Sequence, residues 1–472
     1  MPDAVVVGAG PNGLAAAIEI ARAGRSVTVL EAEPTVGGGS RSAQLTRPGF
    51  VHDVCSAFHA LASASPFLRS VPLGRLGVRL IHPDAPLAHP LDDGSVAVLE
   101  RSVDETADAF GRDGAAYRKL FGPMVKNAEG LIADLLAPLP LPPRHPVAMA
   151  RFGLKGFQSA VGLVSRAFET EPPKALVAGV AAHAIQPLDR SPTAAVGLML
   201  TMLGHAVGWP FVEGGSQKLS DALASYLEEL GGEIRTGERV DSLAQFPTAR
   251  AVLLDVTPRQ VIELAGGNLP ERYLERLRRY RYGPGVFKMD WALDGPIPWK
   301  SPECERAGTV HLGGSLPEIV HSEREVWEGR VSSRPYVLVG QQSRFDGTRA
   351  PAGQHTAWAY CHVPHGSGIN MTDAIEAQLE RFAPGFKDLV LERRVMGPAG
   401  MEAYNANYVG GDINGGVQDL RQLFTRPVAR LNPYTTPNER VFLCSSSTPP
   451  GGGVHGMCGH FAAKAALSRA LN

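Results

Sequence analysis

Residues 3–41 read DAVVVGAGPNGLAAAIEIARAGRSVTVLEAEPTVGGGSR, and this stretch decides the fold. A β-branched run ends at Val7, glycines follow at 8, 10 and 13, and an apolar helical pattern continues through Ala21. Gly24 then ends the helix and SVTVLE begins a second strand. Strand, tight turn, helix and strand within about thirty residues form one βαβ unit, the start of a Rossmann-like α/β nucleotide fold. The three glycines serve different ends. Gly8 lets the chain turn, Gly10 lets a pyrophosphate approach the backbone, and Gly13 lets helix pack on strand. Pro11 suits a first helical turn, where its missing donor is not needed, and Asn12 comes next in the phosphate loop. The amides of this helix start face the phosphates. Glu31, with Ala32 behind it, closes the next strand where an acid accepts from a ribose hydroxyl. A glycine turn can also join strand and helix without a ligand; the flanking strand, helix and acid favour the dinucleotide.

The segment beyond Glu31 separates NAD from FAD. Gly37, Gly38, Gly39, Ser40 and Arg41 make a second close backbone approach, which the longer FAD requires, and Arg41 is placed for a phosphate or a flavin edge; an ordinary loop with a surface arginine is the alternative. The far end of the chain carries a matching feature, FLCSSSTPPGGGVHGMCGHFAAKAAL, residues 442–467. A strand, a glycine turn and a helix over 456–471 would bring a second helix start to the flavin ring, through Ser446, Gly453, Val454, His455, Gly456 and Met457. A helix N-terminus stabilises an anion by up to about 2 kcal/mol. Residues 445–448 add hydroxyls for the ribityl chain and phosphate.

The bulk composition sets limits. A chain of 472 residues exceeds one ordinary core, so at least two domains are expected. Hydrophobic residues at 44% and charged residues at 20% describe a globular protein, and a net charge of −1 gives no nucleic-acid surface. Five cysteines without a CxxC pair point to a reducing, cytoplasmic setting, with neither a disulfide framework nor a metal site. No secretory signal is read at the amino terminus. The uncharged segment 191–212 is interrupted by glycine and proline, so a buried helix is expected rather than a membrane span; contact with one leaflet stays open. HPLDDGSVAVL reads as a hairpin about Asp93-Gly94. Residues 104–138 and 146–208 read as helical around the proline-rich APLPLPPRHP. VFKMDWAL, TVHLGG, YVLVGQQ and HTAWAYCHV read as a second set of strands, the first and last alternating as half-exposed sheet does.

The two glycine-rich ends resemble the phytoene desaturase and flavin amine oxidase superfamily, and GGSQKLSDAL, ALDGPIPW, FDGTRAPAGQHTAWAYCHVP and VGGDINGG are similar to its phytoene-dehydrogenase-related branch. The resemblance spans nearly the whole chain. It implies a discontinuous FAD-binding domain of glutathione-reductase type over 1–75, 210–270 and 425–472. It also implies a mixed-sheet substrate domain over 76–209 and 271–424 that carries a helical insert. By the same resemblance Val240 touches the adenine through its backbone, and the substrate is apolar, isoprenoid-like or lipid. The segment before ARAVLLDV is shorter than in that branch, and serines 445–447 replace a usual acid.

Hydride transfer to a flavin asks chiefly for position and exclusion of water. His59, His455 and Tyr404 are the candidate catalytic residues. For His455 the alternative is a structural hydrogen bond. For Tyr404 and the neighbouring Asn405, Asn407 and Asn414 it is an ordinary loop rather than one closing over substrate. Cys458 reads as a packing residue, so the FAD is expected to be non-covalent. No second nucleotide motif appears later in the chain, so electrons leave to oxygen, a quinone or the substrate. The expected activity is dehydrogenation or saturation of carbon–carbon bonds. A flavin amine oxidase, a redox-neutral isomerase and a partner-binding protein with structural FAD remain as alternatives, as does a homodimer.

Overall fold

The computed structural model describes residues 2–138 and 142–472; part of the proline-rich segment therefore lies outside the described residues. Two sheets organise the chain. In the first, five parallel strands run in the order Val441–Leu443, Ala251–Leu254, Ala4–Val7, Val27–Glu31 and Glu233–Thr236. Parallel strands need crossovers, and the helix Pro11–Arg22 supplies the first, with nine of its twelve residues buried. The carboxyl ends of Ala4–Val7 and Ala251–Leu254 therefore open onto one crevice.

The second sheet has seven strands, in the order Val390–Met396, Gly285–Leu293, His355–Val363, Val337–Gly340, Ala307–Leu312, Ala85–Pro90 and Val96–Leu99. It is mixed, because Ala307–Leu312 pairs parallel with Ala85–Pro90 and the remaining pairs are antiparallel. The hairpin about Asp93-Gly94 is present as read. Helices between 114 and 206 form an insert, and the uncharged segment contributes its buried helix Thr193–Ala206. Among the described residues no helix is long and apolar enough to cross a membrane.

The strand Gly285–Leu293 departs from its expected half-exposure. It alternates polar and apolar residues, yet all nine are buried. One face carries Phe287, Met289 and Trp291 into an apolar core with Val310, Val339, Ala359 and Cys361. The other brings Lys288 and Asp290 into register with Tyr360 and Trp358. Alternation here separates two interiors rather than core from solvent.

The ends of the chain meet through small residues. The final helix, Met457–Arg469, packs on Pro11–Arg22, and a methyl group at Gly459 would overlap the Asn12 carbonyl. Gly459→Ala is expected to push the helices apart and destabilise the fold by roughly 1–3 kcal/mol, as overpacking does. Chemical denaturation of the variant measures this; an unchanged midpoint would show that the contact does not set the helix spacing.

Candidate functional site

The two glycine turns of the amino-terminal unit are built against each other. The Gly37 amide donates to the Ala9 carbonyl at 2.8 Å, and a methyl on Gly38 would lie 3.1 Å from the Gly10 Cα. Tyr404 clamps this arrangement, its hydroxyl donating to the Gly38 carbonyl at 2.7 Å. Tyr404 also lines the adjoining cavity, with its one proton engaged by the second turn.

Beside these turns lies a cavity of about 490 Å³, a size typical of small-molecule sites. It runs from Glu31, Ala32 and Val240, past Gly8, Gly10, Pro11 and Asn12, then Gly38, Gly39, Ser40 and Arg41, to Ser446, Gly453 and Val454. Gly13 and Gly37 shape its wall from behind. The carboxylate of Glu31 is oriented by its own neighbours, accepting from the Ala9 amide at 2.8 Å and from the Glu33 amide at 2.9 Å. Arg41 lies 3.3 Å from the same carboxylate and donates to the Thr35 carbonyl. Its guanidinium is anchored through Nε and Nη2, while the residue lines the cavity.

The carboxy-terminal turn is placed as the two ends require, with Asn12 Nδ2 3.4 Å from Ser446 Oγ. Its helix start is not. The Met457 amide donates to His455 Nδ1 at 3.0 Å, and His455 Nε2 meets the Gly451 carbonyl at 3.2 Å. His455, Gly456 and Met457 do not line the cavity; Gly452, Gly453 and Val454 do. The expectation that a helix dipole reaches the ring edge is corrected accordingly: His455 caps that helix from within, so its role is structural. Cys458 is buried behind the turn, its thiol directed at the Thr448 and Gly451 carbonyls.

Asp255, which ends the strand beside Ala4–Val7, escaped the sequence reading. Its Oδ2 accepts the Gly13 amide at 2.9 Å, and a methyl on Gly10 would lie 2.8 Å from the same oxygen. No cation pairs with it among the described residues. Burial, and then the nearby Glu31, hold this carboxyl well above the usual carboxylate range against the pull of the Gly13 amide. Its neutral form is therefore favoured, beside the turn read as the diphosphate site. Asn407 links the same corner to the 404–408 loop, donating to the Asp255 carbonyl at 3.0 Å and accepting from the Thr257 amide at 3.0 Å.

At its far end the cavity becomes apolar and aromatic. Phe58, Leu61, Ile185, Val196, Met199 and Leu200 face Trp209, Leu338, Trp358 and Tyr360. Trp358 and Tyr360 stand two residues apart on one strand with ring planes 6° apart, forming a single wall. The Lys288 ammonium, ion-paired with Asp290, lies 5.9 Å from the Trp358 ring centre.

His59 is the candidate histidine that lines this space. Ser216 donates its only hydroxyl proton to the Ser56 carbonyl at 2.8 Å, so it accepts from His59 Nε2 at 2.9 Å. That fixes the tautomer and leaves Nδ1 as a bare lone pair without a protein partner. Burial lowers the ring to about 4, with Arg349 assisting against Asp53, so it is neutral near pH 7. The support below it is ionic and dry: Asp53 accepts from the Ser216 amide and pairs with Arg349 at 3.0 Å, which also pairs with Asp346 at 3.0 Å.

The cradle suits a dinucleotide. Glycines at 8, 10, 13 and 38 let backbone close on backbone and on Asp255 around the channel, and Asn12 and Ser40, which line it, each keep a buried oxygen without a protein partner. Comparison with known proteins agrees. The family model described as flavin containing amine oxidoreductase matches residues 12–265. The chain is 27% identical to the mouse (Mus musculus) pyridine nucleotide-disulfide oxidoreductase domain-containing protein 2, over 98% of this chain and 92% of that protein. It is 25% identical to a phytoene dehydrogenase of Streptomyces griseus, over 83% of this chain and 78% of that one. Among solved structures, an oxidoreductase from Methanosarcina mazei matches with a TM-score of 0.66 at 16% identity, covering 99% of this chain and 100% of that chain. A putrescine oxidase bound to putrescine matches at 0.63 and 18% identity, covering 99% of both chains. At these identities the structural likeness speaks for the fold.

The raised Asp255 carboxyl has a measurable consequence. Cofactor affinity should be greatest while that group is protonated and should fall as pH rises through its elevated value, since the ionised form repels the diphosphate. Titrating cofactor-free protein with FAD across pH, followed by flavin fluorescence, tests this. Asp255→Asn should bind with little pH dependence, and a variant that kept the native slope would exclude Asp255 as its source.

Proposed function

The chain belongs to the flavin containing amine oxidoreductase family, and from that premise we propose that it is an FAD-dependent oxidoreductase acting on carbon–carbon bonds of an apolar substrate. The observation that carries this reading is the cavity itself, continuous from the dinucleotide turn to an apolar, aromatic end. Glu31 and Val240 would hold the adenosine end, the 8–13 turn the diphosphate, and Ser446 with Gly452 to Val454 the far end. FAD, held without a covalent bond, would supply hydride acceptance.

The protein's own contribution is position, dryness and one proton. The aromatic wall and the helix Thr193–Ala206 exclude water. His59 Nδ1, held by Ser216 in its accepting tautomer, takes the proton that leaves the substrate as a double bond forms. A methylene buried in such a lining contributes about 0.8 kcal/mol, so an extended hydrocarbon binds with few polar contacts. The alternative substrate, an amine, is disfavoured by one feature: a lysine ammonium, paired with Asp290, already lies near the Trp358 ring. With no second nucleotide motif, oxygen or a quinone takes the electrons.

Anaerobic mixing of the flavin-loaded protein with candidate alkenes, polyprenes and amines tests the reading. An apolar compound should bleach the flavin, whereas bleaching by amines alone would overturn it. His59→Gln should retain its flavin yet bleach about 10²-fold more slowly. In the native protein the rate should fall as pH drops toward about 4, where Nδ1 becomes protonated. An undiminished rate in the variant would remove His59 from the chemistry.

A further inference from the structure

Five of the nine large apolar side chains that are exposed among the described residues fall on two helices that meet. The helix Pro146–Gly156 buries Phe152 and Gly156 on its inner side. Its outer side, where a helix normally shows charge, presents Val147, Leu154 at 77% exposure and then Phe157 at 54%. Val147, Arg151 and Leu154 follow at spacings of four and three, so they share one face with Phe157 at its edge. The short helix Leu420–Leu423 extends this face. Phe424, 47% exposed, packs on Phe157 with ring centres 6.1 Å apart, and Leu420 is exposed beside it.

Basic residues frame the face. Arg151 and Lys155 belong to the helix, Arg421 lies between Leu420 and Phe424, and Arg166 reaches the Gln158 side chain next to Phe157. None of the four is ion-paired among the described residues, and the nearest acid in sequence to Arg421, Asp419, is already held by Arg281. Apolar side chains at the centre with unpaired cations around them match a lipid surface, where the chains enter the headgroup boundary and the cations meet anionic lipid.

The face also adjoins the cavity. Asn414, Gly415 and Gln418, in the loop that leads into Leu420, line the cavity's substrate end. Gly156 packs on Ala195, beside the lining residue Val196. We infer that the face formed by Val147, Leu154, Phe157, Leu420 and Phe424 docks on an anionic bilayer and sets the substrate end of the cavity against it. The purpose of this docking rests on the reading of an apolar substrate; the docking itself does not. It also moves the membrane contact away from segment 191–212, which is the buried helix Thr193–Ala206.

Flotation of the flavin-loaded protein with phosphatidylcholine vesicles, with and without phosphatidylglycerol, tests this directly. The protein should float with the anionic vesicles, less so as salt rises. Leu154→Asp with Phe157→Asp should lower the bound fraction about tenfold while leaving flavin absorbance and melting temperature unchanged. Arg151→Glu with Lys155→Glu should abolish the preference for phosphatidylglycerol. Absence of flotation, or equal flotation of the Asp variant, would overturn the inference, as would a self-associated dimer in sedimentation velocity that the same Asp variant dissolves. Flavin bleaching by an apolar compound in detergent, without flotation, would sink the docking and leave the proposed activity standing.

Discussion

The structure depends on two helices, nearly a chain length apart in sequence, approaching until their backbones touch. Gly459 of the last helix lies against the Asn12 carbonyl of the first, and no side chain fits between them. That contact fixes the distance between the turn at 8–13 and the turn at 445–454, and with it the length of the channel they share. Close approach of this kind requires glycine and alanine, which are abundant in both helices. Packing thus brings both ends of the chain to one channel.

A second constraint is the two-sidedness of the seven-stranded sheet. Burying one face against an apolar core is ordinary; the other face is buried too, and it is polar. Lys288 is matched by Asp290, and Glu323 by His362 at 2.8 Å. Arg349 lies between Asp53 and Asp346. Dry ion pairs add little to stability compared with apolar replacements, but leaving one partner alone is strongly unfavourable. Such a face is therefore rigid once formed. Its consequence for the site is indirect and specific: Asp53 positions Ser216, and Ser216 decides which nitrogen of His59 keeps its proton.

The family relationship and the cavity speak to different levels. Membership establishes flavin-dependent redox chemistry. The cavity's far end, with its aromatic lining, a nearby ammonium and a helix without Asp, Glu, Lys or Arg, speaks to what the site admits.

Local pattern determined much of this from the chain alone. The βαβ unit, both glycine turns, the hairpin at Asp93-Gly94 and the buried helix at 193–206 are properties of residues near one another in sequence, and short-range sterics and periodicity suffice to read them. Most of the candidate site was also legible, since Gly8 to Asn12, Glu31, Gly38 to Arg41 and Val454 lie within those local motifs. What only the tertiary structure decided concerns partners. Tyr404 and His455 look chemically available in sequence, but each has its hydrogen bonds engaged by backbone that folding brings beside it. Asp255 looks like a loop acid, and its carboxyl is buried against the glycine turn, with its neutral form favoured, only because its strand lies next to the first. The strand holding Lys288 alternates just as a solvent-facing strand would, because pleating puts every second residue on one face whatever covers it. A period of two records that two environments differ; which of them is water depends on the layer packed on top, and that is a property of the whole fold.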